Sequence, residues 1–183
     1  SKIKLGNVHI NSGQYDKALD TFNFILPKVK KLNDNENIGR CYAAKSTALW
    51  HQSELDESIK YSTLAIEKLE KLENKEIILE SYEILGVAYA DKFEYKKAIK
   101  YLKKVLHIAE ELEDKHWISR TYNNIGYTLI YTGDYENAIK YFKQSLNLEK
   151  SIGNLRPIYL LHSLGEIYRR RGEYKKALKY LDK

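Results

Sequence analysis

Apolar side chains recur every three to four residues along almost the whole chain, with charged residues between them. In the segment 76–92, for example, Tyr82, Leu85, Gly86 and Tyr89 lie on one stripe if successive residues turn by about 100°. Such stripes are typical of amphipathic helices that pack on a partner. The pattern predicts ten helices, over residues 2–12, 15–32, 36–52, 55–72, 76–92, 95–112, 116–132, 135–151, 156–171 and 174–182.

The helical pattern repeats with a period close to 40 residues. A tyrosine or leucine opens the second helix of each copy: Tyr15, Leu55, Tyr95, Tyr135 and Tyr174. A small residue lies nine positions before each of these: Gly6, Ser46, Gly86, Gly126 and Gly165. Another small residue follows three positions after each: Ala18, Ser58, Ala98, Ala138 and Ala177. Because a single helix pair cannot bury its own apolar stripe, neighbouring pairs are expected to stack.

The junctions between copies predict where the next helices begin. Asp34, Asn74, Asp114 and Asn154 are the expected N-caps, because their side chains accept hydrogen bonds from free backbone amides. Pro157 suits the first turn of the helix that follows. The repeat therefore predicts one continuous array of about five copies, at 1–34, 35–74, 75–114, 115–154 and 155–183, with the first and last incomplete.

Over essentially the whole chain the copies resemble the tetratricopeptide repeat, whose pattern has an aromatic residue, a Leu-Gly pair, a tyrosine, an alanine and a phenylalanine. The first copy keeps Leu5, Gly6, Ala18 and Phe22 of this pattern, and the last three copies keep more of it. The matching residues are Tyr82, Leu85, Gly86, Tyr89, Ala98 and Leu102; Tyr122, Ile125, Gly126, Leu129, Ala138 and Phe142; and Leu161, Leu164, Gly165, Tyr168, Ala177 and Leu181. The second copy departs most, with Lys45, Ser46, Ser58 and Ser62. The resemblance implies an all-α fold, a right-handed superhelical solenoid of helix-turn-helix repeats. The lengthened period is similar to that of bacterial peptide-sensing regulators and of adaptor proteins.

Composition narrows the class of function. Hydrophobic residues make up 43% and charged residues 31% of the chain, which excludes a disordered protein. The net charge of +6 comes from signs mixed along the chain, which disfavours nucleic acid as a partner. No apolar run approaches the roughly 20 residues of a membrane span, and a single cysteine, Cys41, favours a reducing compartment. These features predict a cytoplasmic protein with no membrane partner.

No catalytic motif accompanies the helices. The five histidines have neither the HExxH nor the Cys-His spacing of metal sites, and no phosphate loop or nucleophile elbow is present. Glu80 and Glu83 are neighbours on one helix face, where a solvated or partner-binding pair is favoured over an acid/base pair. The sequence therefore predicts a protein that is not an enzyme and needs no cofactor or metal.

The candidate binding residues follow from the direction of the packing stripe. If that stripe points inward, the opposite face of each first helix lines a concave wall. The residues of this wall that suit a peptide, with one neighbour, are Arg120, Asn123, Asn124, Tyr127, Tyr131, Tyr159, His162, Arg169, Arg170, Glu80 and Glu83. The asparagines would hydrogen-bond a peptide backbone, the tyrosines would supply rigid contact area, and the arginines would bind carboxylates.

Three functions are weighed on this basis. The favoured one is a protein–protein interaction scaffold whose groove binds a linear peptide or partner helix, as a module of a larger regulator or adaptor. The alternative is an architectural module that self-associates through its uncapped ends, where Leu178 and Leu181 form an apolar face. An RNA-binding helical repeat is disfavoured, because the acidic residues of the third copy would repel phosphate.

Overall fold

The described part of the computed structural model, residues 2–72, 75–154 and 157–181, is built from helices. These are α1 (Lys2–Asn11), α2 (Tyr15–Lys31), α3 (Asn35–His51), α4 (Leu55–Leu69), α5 (Lys75–Asp91), α6 (Tyr95–Glu111), α7 (Lys115–Tyr131), α8 (Tyr135–Ser151), α9 (Ile158–Arg170) and α10 (Tyr174–Leu181). A short 3-10 helix, Glu70–Leu72, continues from α4. The predicted all-α class and the predicted helix pairs are confirmed.

The chain forms two compact units. The first ends at Tyr101 and contains α1 to α5 with the start of α6, and the second begins at Leu102 and contains the remainder. In the first unit each of α1 to α4 packs on the helix that follows it. In the second unit α7 packs on α8, α8 on α9 and α9 on α10. Helices that are consecutive in sequence are thus neighbours in each unit, while the division into five copies stays a prediction.

Aspartate side chains cap two of the predicted helix starts. The Asp34 carboxylate accepts a hydrogen bond from the backbone N–H of Asn37 at 3.0 Å, and that bond is the main cause of the lowered pKa of Asp34. The Asp114 carboxylate accepts from the N–H groups of His116 and Trp117, both at 3.0 Å. The N-cap prediction is therefore confirmed at these two positions.

The other two predicted caps have different outcomes. Asn74 lies outside the described residues. The prediction for Asn154 is wrong, because its side-chain amide donates to Glu149 at 2.7 Å and α9 begins only at Ile158. Pro157 lies directly before that first helical residue, as the N-cap, and not inside the first turn as predicted. A proline disfavours helical geometry in the residue that precedes it, which delays the start of the helix.

The described turns all end the preceding helix in the same way. One residue in each has a positive φ: Gly13, Asn33, Ser53, Phe93, Glu113, Gly133, Gly153 and Gly172. The N–H of the next residue donates to the carbonyl five positions earlier, for example from Asp114 to Ala109 at 3.0 Å. This hydrogen bond defines a Schellman motif. Turns inside a repeat and turns between repeats therefore have the same construction.

Helix pairs pack closely because a glycine on the first helix faces a large side chain on the second. A Cβ atom added at Gly126 would lie 2.9 Å from the ring of Phe142, and one added at Gly165 would lie 2.6 Å from Leu181. The ring of Phe22 on α2 similarly occupies the space beside Gly6 on α1. The small residue of the repeat is therefore required for the two helices to approach.

The second copy replaces this glycine-to-ring contact with buried serines. Ser46 and Ser62 occupy the glycine and phenylalanine positions of the repeat, and both are fully buried with Ser58. The hydroxyl of Ser58 donates to the carbonyl of Ser46 at 2.9 Å, whereas the hydroxyl of Ser62 has no hydrogen-bond partner in the described part of the chain. Lys45, also buried, donates to neutral oxygens of Asn23 and Tyr61. The departure from the repeat pattern thus places several polar side chains in the interior of the second copy.

Candidate functional site

Nine of the predicted binding residues lie on α7 and α9 of the second unit. On α7 these are Arg120, Asn123, Asn124, Tyr127 and Tyr131, and on α9 they are Tyr159, His162, Arg169 and Arg170. Three tyrosines are prominent among them, because Tyr127 is 39% exposed, Tyr131 65% and Tyr159 45%. Arg120, Tyr127 and Tyr131 recur at seven and four residues, so they share one face of α7.

A hydrogen bond joins the faces of the two helices. The hydroxyl of Ser163 on α9 donates to the phenolic oxygen of Tyr127 on α7 at 2.9 Å. The same hydroxyl lies 2.8 Å from the carbonyl of Tyr159, one turn earlier on α9. The ring of Tyr127 meets Phe142 edge to face, with 5.4 Å between the centroids. Tyr127 is therefore fixed in position while more than a third of it stays exposed.

The hydroxyl of Tyr159 is hydrogen-bonded to a buried carboxylate, that of Glu149. Glu149 on α8 is only 8% exposed. Burial raises the pKa of Tyr159, the charge of Glu149 and a hydrogen bond to it raise it further, and a hydrogen bond with Ser119 opposes them. The amide of Asn154 also donates to Glu149 at 2.7 Å. The Tyr159 hydroxyl is thus engaged inside the unit, and its ring supplies the exposed surface.

Asn123 carries an unused acceptor. Its side chain is half-buried, and its Oδ1 atom is buried without a hydrogen-bond partner among the described residues. A buried carbonyl oxygen left without a donor costs about 1–3 kcal/mol. A backbone N–H from a bound segment would remove that cost if the amide turned toward it.

The three arginines already interact within the unit. Arg169 binds Glu166 with two nitrogens, at 2.7 and 2.8 Å, and Arg170 binds the same carboxylate at 2.8 Å. These hydrogen bonds, from Arg169 first, lower the pKa of Glu166 to about 2. Arg120 lies over the ring of Trp117, 4.1 Å from its centroid. The cluster keeps an excess of positive charge, but a ligand carboxylate would compete with Glu166 for Arg169 and Arg170.

The two predicted acidic residues belong to the first unit. Glu80 is exposed on α5, whereas Glu83 is 6% exposed and does not contribute to a surface. On that unit the indole N–H of Trp50 donates to Asp91 at 2.7 Å. The structure therefore does not place Glu83 where a partner could reach it.

Sequence reasoning missed the residues that support the tyrosines. Ser163, Ser119 and Glu149 are all buried polar residues. Glu149 offered one signal, because a carboxylate at a position expected to be apolar needs a partner. The serines gave none, since serine is compatible with any small buried position.

The described residues form neither a metal-binding cluster nor a membrane-spanning helix. Among them, no three His, Cys, Asp or Glu side chains are grouped so that they would hold a metal ion. In the same part of the chain, helices are too short or too polar to span a bilayer.

Solved structures with similar folds include proteins of several kinds. A Rap protein complexed with Competence and Sporulation Factor has a TM-score of 0.85 at 22% identity, over 99% of this chain and 51% of that one. Aspartyl phosphate phosphatase F from Bacillus subtilis has a TM-score of 0.85 at 21% identity, over 98% of this chain and 47% of that one. A signal transduction ATPase with a tetratricopeptide repeat sensor, from Pyrococcus horikoshii, has a TM-score of 0.87 at 21% identity, over 98% of this chain and 28% of that one. The chain thus spans between 28% and 51% of the length of these proteins, and such identities establish the fold alone.

Comparison of the amino-acid sequence with known protein families assigns the chain to one of them. No curated protein sequence matches the chain significantly. The profile of a tetratricopeptide repeat family matches residues 77–151 and 117–183, which together are more than half of the chain. With the helix pairs and the close glycine contacts described above, this match shows that the chain belongs to the tetratricopeptide repeat family.

Proposed function

We propose that the surface formed by α7 and α9 binds a linear segment of another protein, without catalysis. The observation that carries this proposal is the hydrogen bond from Ser163 to Tyr127. It joins the two helices and holds a partly exposed aromatic ring between them, which supports a surface to which the predicted binding residues of both helices would contribute. Tyrosine is one of the residue types that are enriched at the energetic centres of protein interfaces.

The chemistry of the surface suits an extended segment that carries a carboxylate. Tyr131 on α7 and Tyr159 on α9 offer further exposed ring area. The unpartnered oxygen of Asn123 would accept a hydrogen bond from the backbone of the segment. Arg120 lies one turn before Asn124 on α7 and would pair with an acidic side chain or a terminal carboxylate.

The comparisons support an interaction role and leave the partner open. A protein of the tetratricopeptide repeat family is an interaction scaffold, and the similar Rap protein was crystallised with a bound factor. The resemblance to a protein named as a phosphatase covers less than half of that protein. We therefore place the function of this chain in binding, as a module of a regulator or adaptor.

A matched pair of tyrosine variants tests the proposal. Peptides that bind the whole chain are first selected from a displayed random library, and their affinity is then measured by fluorescence anisotropy. Tyr131→Ser removes a ring that is 65% exposed on the proposed surface, while Tyr174→Ser removes one that is 66% exposed on α10. We expect the Tyr131 variant to bind about tenfold more weakly, a typical loss for an aromatic anchor. The Tyr174 variant should bind as the wild type does.

Two results would contradict the proposal. One is a selection that yields no binder, or binders that are insensitive to Tyr131→Ser and Arg120→Ala. The other is a chain that sediments as an oligomer and is dissociated by Leu178→Asp, with no peptide bound. Leu178 is 56% exposed on α10, so that result would favour the architectural alternative.

A further inference from the structure

The second unit also contains a groove that lies away from the proposed peptide surface. It is a groove of about 680 Å³ between the end of α6, the start of α7 and the second half of α8. Its lining residues are Glu110, Glu113, Lys115, Ile118, Tyr122, Gln144, Asn147, Leu148 and Ser151. The volume is within the range of pockets that bind ligands.

The groove and the peptide surface use opposite faces of α7. Ile118 and Tyr122 are one turn apart and line the groove. Tyr127 is nine residues after Ile118, which at about 100° per residue places it on the far side of the helix. A molecule bound in the groove would therefore not touch Tyr127 or Tyr131.

The floor of the groove is apolar and its walls are polar. Ile118, Tyr122 and Leu148 are half-buried, so each keeps some apolar surface open to solvent. Gln144 and Asn147, one turn apart on α8, are exposed along one wall. Their amides offer both donors and acceptors to the backbone of a bound segment. The floor would accept an apolar side chain that is inserted between these walls.

The charge of the groove selects a basic occupant. Glu110 and Glu113 are exposed at the rim, and neither side chain forms an ion pair in the described part of the chain. Glu110 is close enough to Tyr122 that its charge adds to burial in raising the pKa of that phenol. Among the described residues that line the groove, Lys115 is the one with a basic side chain.

Helix dipoles add to this preference. α6 ends at Glu111 and α8 ends at Ser151, so the C-terminal ends of both helices lie at the groove. Helix C-termini carry partial negative charge and favour cations. The positive end of α7 is already capped, since Asp114 accepts hydrogen bonds from its first amides.

We infer that this groove is a second docking site, for a segment of a partner protein in which an apolar side chain is flanked by lysine or arginine. The apolar side chain would lie on Ile118, Tyr122 and Leu148, and the basic side chains would pair with Glu110 and Glu113. The two surfaces of α7 would then allow this chain to hold an acidic segment and a basic segment at once.

Two synthetic peptides of opposite charge provide the test. One is an amphipathic peptide of leucine and lysine, and the other has glutamate in place of lysine. Titration by fluorescence anisotropy should show that the lysine peptide binds at least about tenfold more tightly, with affinity that falls as salt is added. In NMR spectra the lysine peptide should shift the signals of Ile118, Tyr122 and Leu148.

A matched charge reversal keeps the test specific. Glu110→Lys and Glu136→Lys change the net charge equally, and both residues are exposed, but only Glu110 lines the groove. We expect Glu110→Lys to weaken the lysine peptide about tenfold and Glu136→Lys to change it less than about twofold. Tyr131→Ser should leave this binding unchanged, which separates the groove from the peptide surface.

Other outcomes would overturn the inference. These are equal binding of both peptides, equal effects of the two charge reversals, or NMR shifts confined to Tyr127 and Tyr131. Absence of binding by the lysine peptide at low salt would overturn it too. An oligomer that forms without peptide and is dissociated by Glu110→Lys would show that a second copy occupies the groove, which contradicts a separate partner.

Discussion

The buried hydroxyl of Ser62 should make this position a site where a smaller side chain stabilises the protein. Ser62 is fully buried on α4, and its hydroxyl has no hydrogen-bond partner in the described part of the chain. Burial of an unpaired hydroxyl costs about 1–3 kcal/mol in protein mutational data. Alanine keeps the Cβ atom, removes the oxygen and is the better helix former by up to about 0.5 kcal/mol.

We therefore expect Ser62→Ala to raise the free energy of unfolding by about 1–2 kcal/mol. For a chain of this length each kcal/mol corresponds to a rise in Tm of roughly 2–4 °C. Thermal unfolding followed by circular dichroism, with urea denaturation as a second measurement, would detect the change. The prediction concerns only the packing of the first unit, so it is independent of any binding role.

Ser145 on α8 supplies the matched control. It is equally buried, but its hydroxyl donates to the carbonyl of Ser119 at 2.9 Å and lies 2.8 Å from the Ser119 hydroxyl. Ser145→Ala removes the same atom and should lower stability by about 1 kcal/mol, because hydrogen bonds are lost. If Ser62→Ala is destabilising to the same extent as Ser145→Ala, the Ser62 hydroxyl must be satisfied and the reasoning is refuted.

Two further predictions concern charged side chains of α8 and α9. Glu166 has a pKa of about 2 because Arg169 and Arg170 hydrogen-bond its charged form, so it stabilises the fold above its ordinary pKa near 4.5 and loses that effect as the pH falls toward 2. Glu166→Gln should lower Tm at neutral pH, with the difference closing between these values; a difference that does not change with pH would contradict the assignment. Asp134→Ala should destabilise α8 by about 1 kcal/mol in urea denaturation, because its carboxylate caps the helix. Glu54→Ala, at the equivalent position of α4 but without a cap hydrogen bond, should have little effect; equal losses would refute the capping argument.

The helices were predictable because the repeat carries two sequence signals, one for the face on which the helices pack and one for the position where a helix ends. A small residue fixes the face of the first helix, as Gly126 does against Phe142, and a turn residue fixes where each helix ends. Most predicted ends agree with the structure within one residue. The exceptions have local causes: Pro157 delays α9, and α4 gives way to a 3-10 helix after Leu69. Asn154 looked like a cap because sequence position alone does not reveal a competing buried carboxylate.

The candidate site was less predictable, because helical offsets do not say which neighbour covers a side chain. They place Tyr127 and Tyr131 at exposed positions, yet the same rule selects Glu83, which is buried. The supporting residues Ser163 and Glu149 could not be assigned from sequence, since their roles depend on contacts between different helices. The groove beside α8 escaped prediction for the same reason, because it is formed by the ends of three helices.

The shared construction of the turns sets a rule for changes in chain length. A left-handed residue ends a helix about every 20 positions, but the glycine faced by a large side chain returns only every second helix. Deletion of one helix with its turn would keep the geometry of the remaining turns. It would nevertheless make two first helices, or two second helices, neighbours, so a glycine would no longer face a large side chain. Duplication or loss of whole helix pairs keeps each of these glycines opposite its large side chain, so natural insertions in such a chain should add or remove whole helix pairs.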